Sequence, residues 1–270
     1  MLLVVNAGSS SVKVSLFEGD IELRRGLASE IGAQGHEAAL AGFLADGFGA
    51  GLKAAAHRVV HGGATLTAPC RITAEVEAQI EACALLAPLH NPANLMGIRA
   101  LAALAPELPQ YASFDTAFHA TNPALATTYA LPADERARGL RRYGFHGLSY
   151  AAIVRKVKEI SENQLPDRLL VFHLGNGASA CAIQNGQSVA STMGYSPLDG
   201  LTMGTRAGGL DPAVVLDLAG RHGVDATARL LNRESGLLGL GVLGGSLPLL
   251  LVVFALLSLA SWFVLRRAVG

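Results

Sequence analysis

The stretch that decides the fold is LVVNAGSSSVKVSLFEGD, residues 3–20. Two short runs rich in valine flank a turn of small residues, AGSSS, and this pattern predicts a β-hairpin. A second stretch, LVFHLGNGASACAIQNGQ at 170–187, aligns with the first without gaps, so that Gly8 lies over Gly175 and Gly19 over Gly186. The match predicts an internal duplication with two related lobes, because its period is too long for a solenoid repeat.

The segments that follow each hairpin alternate between helical and strand patterns, which favours an α/β fold. The predicted elements are a helix over 74–87 capped by Thr73, a helix from Asn91 and Pro92 through Ala105, a strand over 110–114 that ends at Asp115, a helix over 149–162, and a helix from Asp211 and Pro212 toward His222. We expect a first lobe over 1–150, part of a second lobe over 151–240 and a tail over 241–270.

The two glycine- and serine-rich turns indicate phosphate binding. Such a turn leaves backbone N–H groups available and lets a phosphate approach without meeting Cβ atoms. One such turn also occurs in many ordinary loops, but two turns from two lobes can hold the polyphosphate of a nucleotide. This is the arrangement of the actin and sugar-kinase fold, whose duplicated lobes are ribonuclease H-like.

Composition narrows the class of protein. The chain has 21 Lys and Arg against 21 Asp and Glu, a balance that disfavours nucleic acid as a partner. The three cysteines, Cys70, Cys83 and Cys181, show no CxxC spacing, which predicts a reducing compartment and a structural role. The N-terminus lacks the features of a secretory signal, so we expect a cytoplasmic body.

The end of the chain has a different character. No charged residue or histidine lies between Glu234 and Arg266, and residues 247–265 would span roughly 28 Å as a helix. This predicts a transmembrane helix that anchors the body to a membrane, with Trp262 at an interfacial end and an orientation that the flanking arginines leave unresolved. The alternatives are a gene interruption whose read-through encodes apolar residues, and a buried core helix, which the apolar surface on all sides disfavours.

Seven sequence words together resemble the acetate kinase family. They are NAGSSSVK (6–13), HRVVHGG (57–63), APLHNPANLMGI (87–98), FDTAFH (114–119), RRYGFHGLS (141–149), HLGNGAS (173–179) and STMGYSPLDGLTMGTRAGGLDP (191–212). The resemblance extends from Met1 to about Leu240. It implies reversible phosphoryl transfer from ATP to acetate, giving acetyl phosphate and ADP, with Mg²⁺ and a homodimer.

The resemblance also implies a role for individual residues. Arg58 would bind acetate and the phosphoryl group, Arg206 and His146 would stabilise the transition state, and Asp115 would be a proton donor or acceptor. The nucleotide phosphates would contact Lys13, His173, Leu174, Gly175, Asn176 and Gly177, and Asn6 would help to position Mg²⁺. Acetate is already ionised above roughly pH 5 and has no proton to lose, so we expect Asp115 to act electrostatically, by ordering the Mg²⁺ shell or an arginine.

Each of these residues also has a structural interpretation. Arg58 on a strand can be a solvated or paired surface charge, His146 a hydrogen-bonded core histidine, and Asp115 a cap. His57 and His61 have the HxxxH spacing of a metal site, but that spacing needs a helix, so a structural role is favoured. Only the family resemblance raises the candidate residues above these alternatives.

The sequence departs from the family after Gly239. The family continues with a glycine-rich turn that cradles adenosine and a late glutamate that completes the Mg²⁺ site, and neither occurs in 240–270. We therefore expect an incomplete second lobe, an exposed apolar sheet edge and an activity that can be defective. The alternatives are a non-catalytic, membrane-tethered remnant and a propionate or butyrate kinase, because acyl length depends on pocket residues.

Overall fold

The computed structural model describes residues 1–32, 35–88 and 90–241. The chain forms two compact units, the first from Met1 to Ala120 and the second beginning at Thr121. The lobe boundary expected at residue 150 stays a prediction.

The first unit is an α/β layer built on a mixed sheet. Its described strands and longer helices are β1 (Leu2–Ala7), β2 (Ser11–Glu18), β3 (Ile21–Ser29), α1 (His36–Phe43), β4 (Ala54–Val59), β5 (Cys70–Arg71), α2 (Ala74–Ala82), α3 (Asn91–Leu104) and β6 (Gln110–Phe114). The order across the sheet is β3-β2-β1-β4-β6-β5, in which β1, β4 and β6 are mutually parallel. Alternate residues of β1 and β2 are buried, and their core includes Leu3, Val5, Val12, Val14 and Leu40. The predicted N-terminal hairpin is confirmed.

The second unit contains a smaller antiparallel sheet and several helices. The described elements are α4 (Ala124–Thr127), α5 (Ala133–Ala137), α6 (Gly147–Ile160), β7 (Arg168–Leu174), β8 (Ala178–Gln184), β9 (Gln187–Ser191), α7 (Pro212–His222), α8 (Val224–Arg233) and α9 (Gly236–Gly241). The strands pair in the order β7-β8-β9. The predicted second hairpin is therefore present, and each unit contains a three-stranded antiparallel meander.

The pairing corrects the gapless alignment of the two hairpins. Ala7 pairs with Val12 across a four-residue turn, whereas Leu174 pairs with Ala178 across a three-residue turn. On the second strands the alignment holds, and Gly19 and Gly186 both have positive φ, at 58° and 81°. On the first strands it is wrong by one residue, so that Ala7 corresponds to His173. The turns differ in length, which a comparison of residue types alone did not show.

The predicted helices are present, with small changes at their ends. The Thr73 side chain accepts a bond from Val76 N at 3.3 Å, and Asp211 accepts one from Ala213 N at 2.8 Å, so both predicted caps are confirmed. α2 ends at Ala82 and a short 3₁₀ turn follows, earlier than the predicted end at residue 87. Pro88 disfavours a helical conformation at Ala87, which agrees with the helical backbone stopping before that residue.

Within residues 1–32, 35–88 and 90–241, no helix has the length and apolar character needed to cross a membrane. The transmembrane helix expected over 247–265 lies outside the described residues.

Candidate active site

Three parallel strands of the first unit bring polar side chains to one edge of the sheet. Val5 pairs with His57, and Arg58 pairs with Ser113, so the ends of β1, β4 and β6 lie side by side. Asn6, Arg58 and Asp115 stand at or just beyond these carboxyl ends. Ligands of open α/β sheets bind at this edge, which makes the three residues a candidate site.

Arg58 and Asp115 form a two-point ion pair. Arg58 Nε donates to Asp115 Oδ1 at 3.1 Å, and Nη2 donates to Oδ2 at 2.5 Å. The Asp115 side chain is 3% exposed and that of Arg58 is 37% exposed. Burial lowers the pKa of Arg58, but the hydrogen bonds and the attraction of Asp115 outweigh burial and leave that pKa raised. The carboxylate therefore holds a permanently charged guanidinium, which agrees with an arginine-ordering role for Asp115.

Asn6 and Lys13 lie next to this pair on the N-terminal hairpin. The two residues are direct cross-strand partners, and Arg58 Nη1 is 3.5 Å from Asn6 Oδ1. Both oxygens of Asp115 already accept bonds from Arg58. Mg²⁺ takes few oxygens from protein when substrate phosphates and water supply the others, so the Asn6 amide oxygen fits a metal held mainly by a nucleotide.

Two buried asparagines of α3, to which the sequence gave no role in the site, support this edge. Asn94 Nδ2 donates to Ala7 O at 2.7 Å, while Asn94 Oδ1 accepts from Val60 N at 3.0 Å. Asn91 accepts from His61 N and donates to His61 O, both at 3.0 Å. The first turn of α3 thus fixes the ends of β1 and β4. Two asparagines three residues apart in the first turn of a mostly apolar helix are the signal that could have revealed this role.

His57 and His61 have contacts that agree with the structural interpretation. His57 is buried, and its Nε2 lies 2.7 Å from Gln110 Oε1. Burial lowers its pKa to about 4 in spite of that bond. Burial likewise lowers the pKa of His61 to about 4, and His61 Nδ1 accepts from Gly63 N at 2.9 Å. Both imidazoles are neutral at pH 7.

The second unit brings two histidines together beside the start of α6. The rings of His146 and His173 stack with centroids 4.0 Å apart. His146 Nδ1 lies 2.8 Å from Ser179 Oγ, and His173 Nδ1 lies 3.0 Å from Ser149 Oγ. Ser179 is fully buried and also bonds to Tyr150, whose pKa burial raises to about 12. The two serine hydroxyls fix the planes of both rings. On its Nδ1 side, His146 is therefore a hydrogen-bonded core histidine, as the structural interpretation expected.

The other side of His146 borders the turn between β7 and β8. A Cβ on Gly177 would lie 3.3 Å from His146 Nε2 and 3.5 Å from Arg206 Nη1. A Cβ on Gly204 would lie 2.1 Å from Asn176 Oδ1. The structure therefore places His146, Arg206 and the turn that includes Gly175, Asn176 and Gly177 in one cluster. The Asn176 side chain occupies the space that a Cβ on Gly204 would need, while a Cβ on Gly177 would be in tight contact with His146.

Arg206 carries a charge that no described carboxylate balances. Its Nη1 donates to Pro197 O at 3.0 Å, and burial is the sole cause that lowers its pKa. Nη1 also lies 3.8 Å from the Met203 sulfur, and neither acceptor carries a charge. A partly buried cation whose described acceptors are uncharged favours an anion as its partner. This arrangement can neutralise phosphoryl oxygens.

The loop that carries Arg206 is held by a later segment, RESGLLG at 233–239. Leu237 N donates to Met203 O and Leu238 N to Gly204 O, both at 2.9 Å. Gly236 has a φ of 65°, and a Cβ there would lie 2.2 Å from Met203 O. The segment lies within the part of the chain that resembles the family, and sequence reasoning gave it no role. In the structure its backbone bonds hold the loop that carries Arg206.

Comparison with known proteins identifies what the chain is similar to. Residues 45–249 match the model of the acetokinase family. The chain is 44% identical to an acetate kinase of Rhodopseudomonas palustris, over 93% of this chain and 72% of the relative. It is 45% identical to one of Clavibacter michiganensis, over 90% of this chain and 70% of the relative. The chain thus spans about 70% of the length of these curated relatives.

Solved structures similar to this chain come from the same group of kinases. A propionate kinase from Francisella tularensis superposes with a TM-score of 0.81 at 36% identity, over 88% of this chain and 69% of that chain. An acetate kinase from Porphyromonas gingivalis superposes with a TM-score of 0.77 at 36% identity, over the same shares. These neighbours have the actin-like sugar-kinase fold, so the predicted fold class is confirmed at that level.

Proposed function

Because the chain belongs to the acetokinase family, we propose that it transfers a phosphoryl group reversibly between ATP and acetate, giving acetyl phosphate and ADP. The observation that carries the proposal is the position of Arg206. Its guanidinium lies beside His146 and Gly177 and has no carboxylate partner among the described residues. Such a group suits the oxygens of a transferring phosphoryl group, where charge cancellation matters more than covalent chemistry.

We assign acceptor binding to Arg58. A guanidinium is planar and matches the two oxygens of a carboxylate or phosphoryl group. Asp115 fixes Arg58 through two bonds, and the guanidinium is still partly exposed. Acetate reaches the site ionised, so this step requires no proton transfer to Asp115.

We assign the phosphates of ATP to the remaining groups. Arg206 and His146 stabilise charge on the equatorial oxygens, while Lys13 and residues 173–177 contact the other phosphates. Asn6 helps to hold Mg²⁺, which neutralises charge on the phosphate oxygens when it is bound. These residues position the phosphates and neutralise their charge, and the nucleophile is the acetate itself.

Acetate-dependent formation of acetyl phosphate from Mg²⁺-ATP by the purified chain tests the proposal. We expect turnover that falls by about 10² to 10³ in Arg206→Ala, the loss typical when one stabilising donor is removed. Arg221→Ala is the matched control, because Arg221 is an exposed arginine paired with Asp217 in the same unit. A folded sample without turnover would overturn the proposal and favour a non-catalytic remnant.

Propionate is the second candidate acceptor. The similarity to a propionate kinase from Francisella tularensis favours it. One methylene changes discrimination by roughly 10- to 200-fold in kcat/KM, so a series from acetate to butyrate separates the candidates. The acceptor with the highest kcat/KM identifies the substrate.

We also propose a homodimer and a cytoplasmic body tethered by residues 247–265. Light scattering of the purified chain measures the mass in solution, and a monomer would contradict the first proposal. Carbonate extraction of a cell lysate tests the second. Release into the supernatant would exclude a spanning helix.

A further inference from the structure

Residues 194–200 form a loop, the 194–200 loop, that precedes the segment carrying Arg206. At one end, Gly194 O accepts bonds from Tyr143 N at 3.0 Å and Gly144 N at 3.3 Å. At the other end, Asp199 Oδ2 forms an ion pair with Arg142 Nη1 at 3.0 Å. Both ends of the loop are therefore fastened to the same short segment, 142–144.

The ion pair is part of a packed cluster. The Arg142 guanidinium lies 5.0 Å from the centre of the Tyr129 ring, and Tyr129 Oη accepts a bond from Tyr195 N at 3.0 Å. A Cβ on Gly194 would lie 2.4 Å from both Asp199 Oδ2 and Tyr129 Oη. The side chains of Arg142 and Asp199 are each 35% exposed, and an isolated ion pair at such exposure contributes little to the free energy of folding. The aromatic ring and the close backbone distinguish this pair from an isolated surface pair.

The loop and the segment each lead to a residue of the proposed reaction. Pro197 O, in the middle of the loop, accepts the bond from Arg206 Nη1 at 3.0 Å. His146 follows the 142–144 segment after one intervening residue and has a left-handed φ of 60°. A displacement of the loop therefore moves the carbonyl that orients Arg206. The contacts between the loop and residues 142–144 also restrain the backbone that leads to His146.

We propose that the Arg142–Asp199 ion pair positions Arg206, and through the 142–144 segment His146, for phosphoryl transfer. The inference rests on the proposed function of these two residues. Arg142 and Asp199 act through the loop and do not contact the reactants. Positioning matters here because small misplacements of a charge-stabilising group lower the rate of transfer.

Modification of Arg206 by phenylglyoxal, followed by peptide mass spectrometry of the full chain, tests this without requiring activity. We expect Arg206 to react about threefold faster in Arg142→Ala and Asp199→Asn, the size of effect that a partly exposed ion pair can produce. Arg142→Lys preserves the charge and is expected to keep the rate within about twofold of wild type. Asp217→Asn is the matched control, because it breaks an exposed Arg–Asp pair of the same unit.

An unchanged Arg206 rate in both Arg142→Ala and Asp199→Asn would overturn the inference. If one variant fails to fold, the other and Arg142→Lys still decide it. Where turnover is measurable, we expect kcat to fall in Arg142→Ala with little change in KM for acetate. A faster modification rate in a chain without turnover would support the positioning role while contradicting the proposed function.

Discussion

The two antiparallel meanders, β1–β3 and β7–β9, use the same local structure in different settings. β1 also pairs with the parallel strand β4, and its Leu3 and Val5 are fully buried. β7 pairs with β8, and within the described residues its other edge has no strand partner. Leu170 and Phe172 on β7 are 64% and 46% exposed, so one face of this strand carries exposed apolar side chains. A hairpin motif therefore specifies strands and a turn, while the setting decides what is buried.

The one-residue difference in turn length decides which face carries the polar groups. In the first meander, Asn6 and Lys13 lie opposite each other on the face away from Val5 and Val14. In the second, His173 and Ser179 are the paired residues, and their hydroxyl and imidazole contacts reach α6. Since side chains alternate along a strand, a shift of one residue exchanges the faces.

Among the changes that test the difference between the two meanders, deletion of Ser10 is expected to have the largest effect. A three-residue first turn would shift β2 by one residue and turn Val12, Val14 and Leu16 away from the core they now occupy. We expect loss of cooperative unfolding by circular dichroism. Ser10→Gly keeps the turn length and should unfold cooperatively, and a deletion variant as stable as that control would contradict the role of turn length.

Acid should destabilise the first unit through its buried histidines. The folded-state pKa of His57 is lowered to about 4 from 6.5, so the unfolded chain binds a proton at higher pH than the folded chain. Its contribution is complete above pH 6.5 and is lost as pH falls toward 4, by roughly 3 kcal/mol. Urea denaturation at several pH values between 7 and 4.5 measures the free energy of unfolding. We expect this free energy to fall less steeply with decreasing pH in His57→Gln than in wild type, and the same pH dependence in both would contradict the prediction. The exposed His222→Gln is the control.

Asp115→Asn sharpens the comparison between the two arginine sites. Arg58 has a carboxylate that orders it, whereas Arg206 has a carbonyl. We expect turnover to fall by about a hundredfold, equally at all pH values, because Asp115 holds an arginine and transfers no proton. Asp46→Asn, which breaks an exposed pair with Arg24 in the same unit, should leave turnover unchanged. An altered pH profile would instead assign Asp115 to proton transfer.

The helix caps should give the smallest effect, similar in both units. Thr73→Ala and Asp211→Ala each remove one side-chain acceptor from a helix N-terminus. We expect each to lower the free energy of unfolding by about 1 kcal/mol, measured by urea denaturation. Thr73→Ser and Asp211→Asn retain an acceptor and should restore most of the loss. A much larger loss in one unit would show that its cap has a tertiary role.

The candidate site was predictable in its residue types and less so in its contacts. The sequence words singled out Arg58, Asp115, His146 and Arg206, and the structure brings them together as two clusters, one in each unit. The sequence did not reveal the residues that hold these clusters in place. Asn91, Asn94 and the RESGLLG segment act on backbone groups far from them in the chain, and no local pattern shows which carbonyl a buried amide will meet.

By itself, the sequence determined the hairpins, the caps at Thr73 and Asp211, the α/β class and the family. Strand alternation, turn chemistry and capping depend on residues a few positions apart, so they can be read along the chain. Only the tertiary structure decided that Asp115 lies against Arg58, that the second turn is one residue shorter, and that the Arg142–Asp199 pair fastens the 194–200 loop. These features depend on burial and on contacts between residues remote in sequence, where the loss of hydration determines which polar groups must pair.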